Sequence, residues 1–197
     1  MIKTIGYNQH EIIRDIIKLH VKGEVMDMDC TYSKGQFYKT DLVEQPLLKF
    51  DLYPHDDETQ QAEATNIPLE DEAINSMMFD PPFLVGYKNN TPTGIMGSRF
   101  HGFKNIKELW SWYGRCLKEF HRLLKTKGIL IFKCQDTCSS GKNWFSHVHI
   151  INMAEKLGFY TKDMFILLAK HRVRGHNHHN QKHARKFHSY FIVFRKG

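Results

Sequence analysis

Short apolar runs of strand length alternate along this chain with longer segments whose apolar residues recur at helical spacing. That alternation restricts the chain to an α/β sandwich built on a mostly parallel sheet. Within residues 10–21, Ile12, Ile13, Ile16, Ile17 and Leu19 fall at helical spacing. The pattern predicts two more helices. One spans 107–124, with Leu109, Trp110, Tyr113, Leu117, Phe120 and Leu124 on one side; the other spans 144–157 and is stopped by Gly158. Strands are expected at 25–29, 47–53, 62–68, 74–80, 129–132, 164–169 and 189–194, with Gly128 interrupting the passage into the fifth. Residues 83–105 are rich in Gly, Asn, Thr and Pro without a period, as in a functional loop. No repeat or linker divides the 197 residues, so one domain is expected over 1–197.

A sheet of this kind binds its ligands beyond the carboxyl ends of its strands. Asp29, Asp51 and Asp80 all stand at such ends. The sharpest local signal is Asp80-Pro81-Pro82-Phe83. Two prolines cannot continue a central strand, and each fixes φ while removing an N–H, so the turn is rigid and its carbonyls are available as acceptors. An exocyclic base amine is a poor nucleophile because its lone pair is delocalised into the ring. The Asp80 carboxylate and the Pro81 carbonyl could grip its two N–H groups, and Phe83 could stack on the base.

Charge is distributed in blocks. The net charge is +7 with neutral histidines, and the pI is about 9.2. Residues 51–80 carry nine acids and no Lys or Arg, whereas 170–188 carry Lys170, Arg172, Arg174, Lys182, Arg185 and Lys186 with no acid. A basic block confined to one segment points to a polyanion, with Arg and Lys on phosphates and Asn and Gln able to reach base edges. Six of the 13 histidines lie in that block, but His176, His178, His179 and His183 do not form an ordered zinc motif, and no metal is expected. Cys30, Cys116, Cys134 and Cys138 lack zinc-ribbon spacing and read as reduced thiols. No apolar run is long enough to span a bilayer and the N-terminus lacks signal-peptide features, so a cytoplasmic location is expected.

The DPPF turn after the fourth strand resembles the catalytic motif of the class I amino-methyltransferases that modify adenine or cytosine in DNA. The similarity extends through Ala64-Thr65-Asn66-Ile67-Pro68-Leu69 and Ser76-Met77-Met78-Phe79 to Glu119-Phe120-His121-Arg122-Leu123-Leu124-Lys125-Thr126-Lys127-Gly128. It implies a Rossmann-like, seven-stranded, mostly parallel sheet with an antiparallel last strand and helices on both faces. It also implies S-adenosylmethionine as cofactor and a nucleic acid, DNA before RNA, as substrate, with the base flipped into the site. By position, Asp29 or Asp27 would face the amino-acid end of the cofactor, Asp51 the ribose hydroxyls and Glu63 the adenine. The family's glycine-rich turn is represented here by Gly35 alone, with Thr31 and Ser33 beside it.

Lys133, at the end of the fifth strand, could touch the target strand or pair with a nearby acid. Specificity is expected from 84–105, from 170–188, or from a partner or second copy. An RNA amino-methyltransferase and a catalytically silent nucleic-acid-binding subunit of the same fold are the alternative readings.

Overall fold

Alternation of apolar side chains sets the middle of the sheet. In the computed structural model, which describes residues 1–83, 85–86, 102–169 and 183–197, strand β5 (Ile74–Phe79) pairs in parallel with β6 (Leu124–Cys134). Strand β10 (His188–Lys196) runs antiparallel on the other side of β6. Ile129, Ile131, Phe191 and Val193 face one side; Leu130, Phe132, Ile192 and Phe194 face the other. The first side is covered by helix α1 (Gln9–His20) through Ile12, Ile13, Ile16 and Ile17. The second is covered by α2 (Ile106–Leu123) and α3 (Ser146–Lys156). Each fully buried side chain of this kind contributes about 1.5–3 kcal/mol. Phe79 is the hub beneath α2, with its ring edge-on to Phe120 at 4.7 Å and Phe132 at 4.9 Å.

Among the described residues the sheet has eight strands. Their order is β4 (Gln60–Gln61), β3 (Leu48–Asp51), β2 (Met28–Asp29), β5, β6, β10, β9 (Phe159–Leu168) and β1 (Ile5–Gly6). Only β10 is antiparallel to its neighbours. The strand beyond the expected seven is β1, whose two residues pair with Ile166 and Leu167. Successive strands run outward from β2 to β4, and the chain then returns to place β5 on the other side of β2. The switch point therefore lies between β2 and β5.

Two expectations are corrected. The third strand is not at 62–68. Pairing falls at Gln60–Gln61, and the following residues turn back, with the Asn66 N–H donating to the Glu63 carbonyl at 2.8 Å and Ala62, Ala64 and Ile67 buried. Helix α2 holds this turn. The Ile67 N–H donates to Glu119 Oε1 at 2.9 Å, and Arg122 donates to the Leu69 carbonyl at 2.8 Å and the Ile67 carbonyl at 3.2 Å. Gly128 does not separate the helix from the fifth strand either. β6 begins directly after α2, bulges with Lys127 at φ +67°, and continues. A Cβ on Gly128 would lie 2.8 Å from the Lys125 carbonyl oxygen, so the close approach requires glycine. A small hairpin, β7 (Thr137–Ser139) and β8 (Lys142–Trp144), follows β6. No helix among the described residues is long and apolar enough to cross a membrane.

Candidate active site

The carboxyl ends of β2, β3 and β5 open onto a cleft of about 540 Å³, within the range of small-molecule sites. Its floor holds Thr31, Ser33, Asp51, Glu63 and Asp80; Leu52, Ala62, Ala64, Pro82, Phe103 and Trp112 supply apolar wall.

Thr31 ties the ends of β2 and β5 together. The Asp80 N–H donates to Thr31 Oγ1 at 2.7 Å, and the Thr31 hydroxyl donates to Asp29 Oδ1 at 3.3 Å. Asp29 does not line the cleft; it is buried beneath it, at 1% exposure. Its Oδ1 also accepts the Thr31 N–H at 2.8 Å, and its Oδ2 accepts the Tyr38 hydroxyl at 2.8 Å. Burial pushes its carboxyl up to about 7; the Thr31 and Tyr38 hydrogen bonds oppose the rise, and neighbouring Asp80 adds to it. Asp27 sits at the opposite end of β2, where its carboxylate accepts the backbone and side-chain N–H groups of Asn75 at 2.6 and 3.0 Å.

Asp51 lines the cleft directly. Its Oδ2 accepts the Ser33 N–H and its Oδ1 the Tyr53 N–H, both at 2.8 Å. Each oxygen keeps a further lone pair, which is what a vicinal diol needs. Burial raises its carboxyl above the ordinary range, against the Tyr53 and Ser33 N–H groups. Ser33 has φ +51°, so it takes the left-handed position that a glycine-rich turn would fill, at a cost of about 1–2 kcal/mol. Gly35, with φ +60°, packs under the Tyr32 ring and outside the cleft lining. The chemistry of this lip and the size of the cleft suit a nucleoside-containing cofactor.

Asp80 is fixed at backbone and side chain. Lys133 Nζ lies 3.1 Å from its Oδ2. Its Oδ1 has no hydrogen-bond partner among the described residues, and no described group donates to the Pro81 carbonyl. The Pro82 carbonyl accepts the hydroxyl of the fully buried Tyr113 at 3.1 Å. Phe83 is half-buried beside this turn and is not part of the cleft lining.

Of the basic residues, Lys133 is turned to Asp80. Lys186 donates to Asn143 Oδ1 at 3.2 Å, and half-buried Arg185 precedes it along the β7–β8 hairpin. Arg172, Arg174 and Lys182 lie outside the described residues, as do His176, His178 and His179. Among the described residues no group of three or more His, Cys, Asp or Glu could hold a metal.

Sequence reasoning missed one wall. Glu108, Ser111, Trp112 and Arg115 line the cleft from α2. Their i, i+3, i+4, i+7 spacing puts them on one face of α2, flanking its apolar stripe, a signal that the sequence carries. Tyr38 carries no comparable signal.

The strand order, the antiparallel β10 and a cleft at the β2–β5 switch point define a class I methyltransferase fold. Residues 74–197 match the N6/N4 DNA methylase family, and the chain belongs to that family. No curated protein matches the sequence. Among solved structures, an S-adenosylmethionine-dependent methyltransferase from Thermotoga maritima is 16% identical, with a TM-score of 0.51, covering 95% of this chain and 89% of that one. A Galdieria sulphuraria protein named for sarcosine dimethylglycine methylation is 11% identical, with a TM-score of 0.57, covering 95% and 84%. These likenesses concern the fold. A Thermus thermophilus protein named as a DNA modification methylase, solved with S-adenosyl-L-methionine, is 15% identical, with a TM-score of 0.40 and coverage of 66% and 48%. The chain spans about half the length of that protein.

Proposed function

We propose that this chain, acting as one methyltransferase domain, transfers a methyl group from S-adenosylmethionine to the exocyclic amine of adenine or cytosine in DNA. The observation that carries the reading is Asp80. It stands at the switch point with one oxygen held by Lys133 and the other without a described partner, beside the Pro81 carbonyl, to which no described group donates. Family membership supports DNA as the substrate class.

Asp51 would hold the ribose hydroxyls of the cofactor, Glu63 its adenine edge, and Thr31 with Ser33 its amino-acid end. Bound S-adenosylmethionine supplies an electrophilic methyl group on a sulfonium. Asp80 Oδ1 and the Pro81 carbonyl accept the two N–H groups of the flipped base, pyramidalising the nitrogen so that its lone pair leaves conjugation with the ring and can attack the methyl group. Phe83 stacks on the base and Pro82, anchored by Tyr113, keeps the turn rigid. Asp80 Oδ1, already an acceptor, passes the surplus proton of the methylated nitrogen toward solvent. Arg185 and Lys186, with Arg172, Arg174 and Lys182, would contact phosphates.

The test is transfer of labelled methyl groups to DNA and to RNA, followed by nucleoside analysis. N6-methyladenine or N4-methylcytosine is the expected product, and Asp80→Ala should abolish it while cofactor affinity stays within about tenfold. Label on RNA alone would move the substrate, and full activity of Asp80→Ala would remove the mechanism.

A further inference from the structure

Lys133 is placed unlike a phosphate contact. It leaves β6 on the side of the sheet that carries α1, and its side chain is only 12% exposed. Its ammonium lies 4.8 Å from the Phe37 ring centroid and 5.5 Å from that of Phe191, while touching Asp80 Oδ2 at 3.1 Å. Phe37 belongs to the 3-10 turn Gln36–Tyr38 after β2, and Phe191 to β10. Two ring faces attract a cation and leave few directions for it, and the Asp80 carboxylate is its only ionic partner among the described residues. The other side of Asp80 faces the cleft, whose lining includes Asp80 and excludes Lys133.

We propose that Lys133 is a positioning residue for methyl transfer: seated over the adjoining rings of Phe37 and Phe191, its ammonium holds one oxygen of Asp80 so that the other is presented to the target amine. This rests on the reading of Asp80 as the amine's acceptor. Asp80 is then fixed at two points, its N–H by Thr31 and its carboxylate by Lys133. A carboxylate free to rotate would offer the amine two competing orientations, and small misplacements in such a site cost on the order of a hundredfold in rate. A lysine serving DNA directly would instead change binding and its salt dependence.

Lys133→Met keeps the stem and removes the charge. Its kcat for labelled methyl transfer to plasmid DNA should fall by roughly ten- to a hundredfold. KM for DNA, its salt dependence and the calorimetric affinity for S-adenosylmethionine should stay near wild type. Lys133→Cys, alkylated after folding with 2-bromoethylamine, rebuilds an ammonium on a thioether stem and should recover most of the missing kcat. Wild type alkylated in parallel controls for the exposed Cys138. If Lys133→Met misfolds, the alkylated and unalkylated Lys133→Cys proteins carry the comparison alone. Wild-type kcat in the charge-free variants, a change confined to KM and the salt slope, or no recovery on alkylation would each overturn the assignment while leaving the methyltransferase reading intact. A wild-type chain that methylates no nucleic acid would overturn both.

Discussion

Asp29 shows how one buried carboxyl shapes the site without lining the cleft. It gathers the Thr31 N–H, the Thr31 hydroxyl and the Tyr38 hydroxyl, and through Thr31 it reaches the Asp80 backbone. Its native carboxyl is raised to about 7, above the unfolded value near 4. The native state therefore holds the extra proton between those limits, and Asp29's contribution to stability falls as pH rises from about 4 through about 7. Asp29→Asn can still accept the Thr31 N–H, and its amide can donate to Tyr38. Thermal unfolding should show the variant gaining over wild type at pH 8 and losing that gain at pH 4; a pH-independent difference would place the effect elsewhere. Asp51→Ala should weaken cofactor binding by about 1–3 kcal/mol, the scale of hydrogen bonds to a charged acceptor. An unchanged dissociation constant by calorimetry would assign the ribose hydroxyls to another group. The strand-end positions of Asp51 and Asp80 were legible because a break in apolar pattern marks a strand end. That Asp29 points down rather than into the cleft was not, because the direction of a side chain depends on Tyr38, nine residues away and without a pattern of its own.

At the scale of elements, legibility followed length and periodicity. α1, α2, β5 and β10 have apolar positions enough to declare their period, and the structure finds them near the expected bounds. β1 and β4 have two residues each, too few to show any alternation, and are held by neighbours such as the Ile5–Ile166 and Phe50–Gln60 pairs. The α2 wall was missed for a different reason: its apolar face explains the helix so completely that its polar face drew no separate reading. That wall depends on how α2 begins. Asn105 caps the helix, its side-chain oxygen accepting the Glu108 N–H at 3.0 Å, and Glu108 Oε2 reaches back to the Lys104 N–H at 2.9 Å. Asn105→Ala should cost about 1 kcal/mol, or roughly 2–4 °C in Tm for a chain of this size. Because Glu108 lines the cleft, cofactor or substrate KM should rise with it. A variant with wild-type Tm and KM would show that the cap adds nothing beyond what packing already provides.

The whole molecule separates its charges along the chain. Acids concentrate in 51–80, which supplies Asp51, Glu63 and Asp80 to the cleft, while 170–188 is basic throughout. That division suits the cationic cofactor and polyanionic substrate proposed above. The described part of the basic segment, 183–188, runs beside the hairpin that leaves the site end of β6: His183 Nε2 lies 2.8 Å from the Gly141 carbonyl oxygen, and Lys186 bonds Asn143. Hence we expect DNA to meet the protein on this flank. Replacing Arg172, Arg174, Arg185 and Lys186 with Ala should weaken binding to duplexes of any sequence and flatten the plot of log affinity against log salt by about 0.9 for each phosphate left without its cation. Cofactor affinity should be unaffected; of the described residues, neither Arg185 nor Lys186 lines the cleft. Fluorescence anisotropy across a salt series measures both intercept and slope. A quadruple variant that keeps the wild-type slope would place the substrate on another flank, with the basic segment serving as a solvated surface.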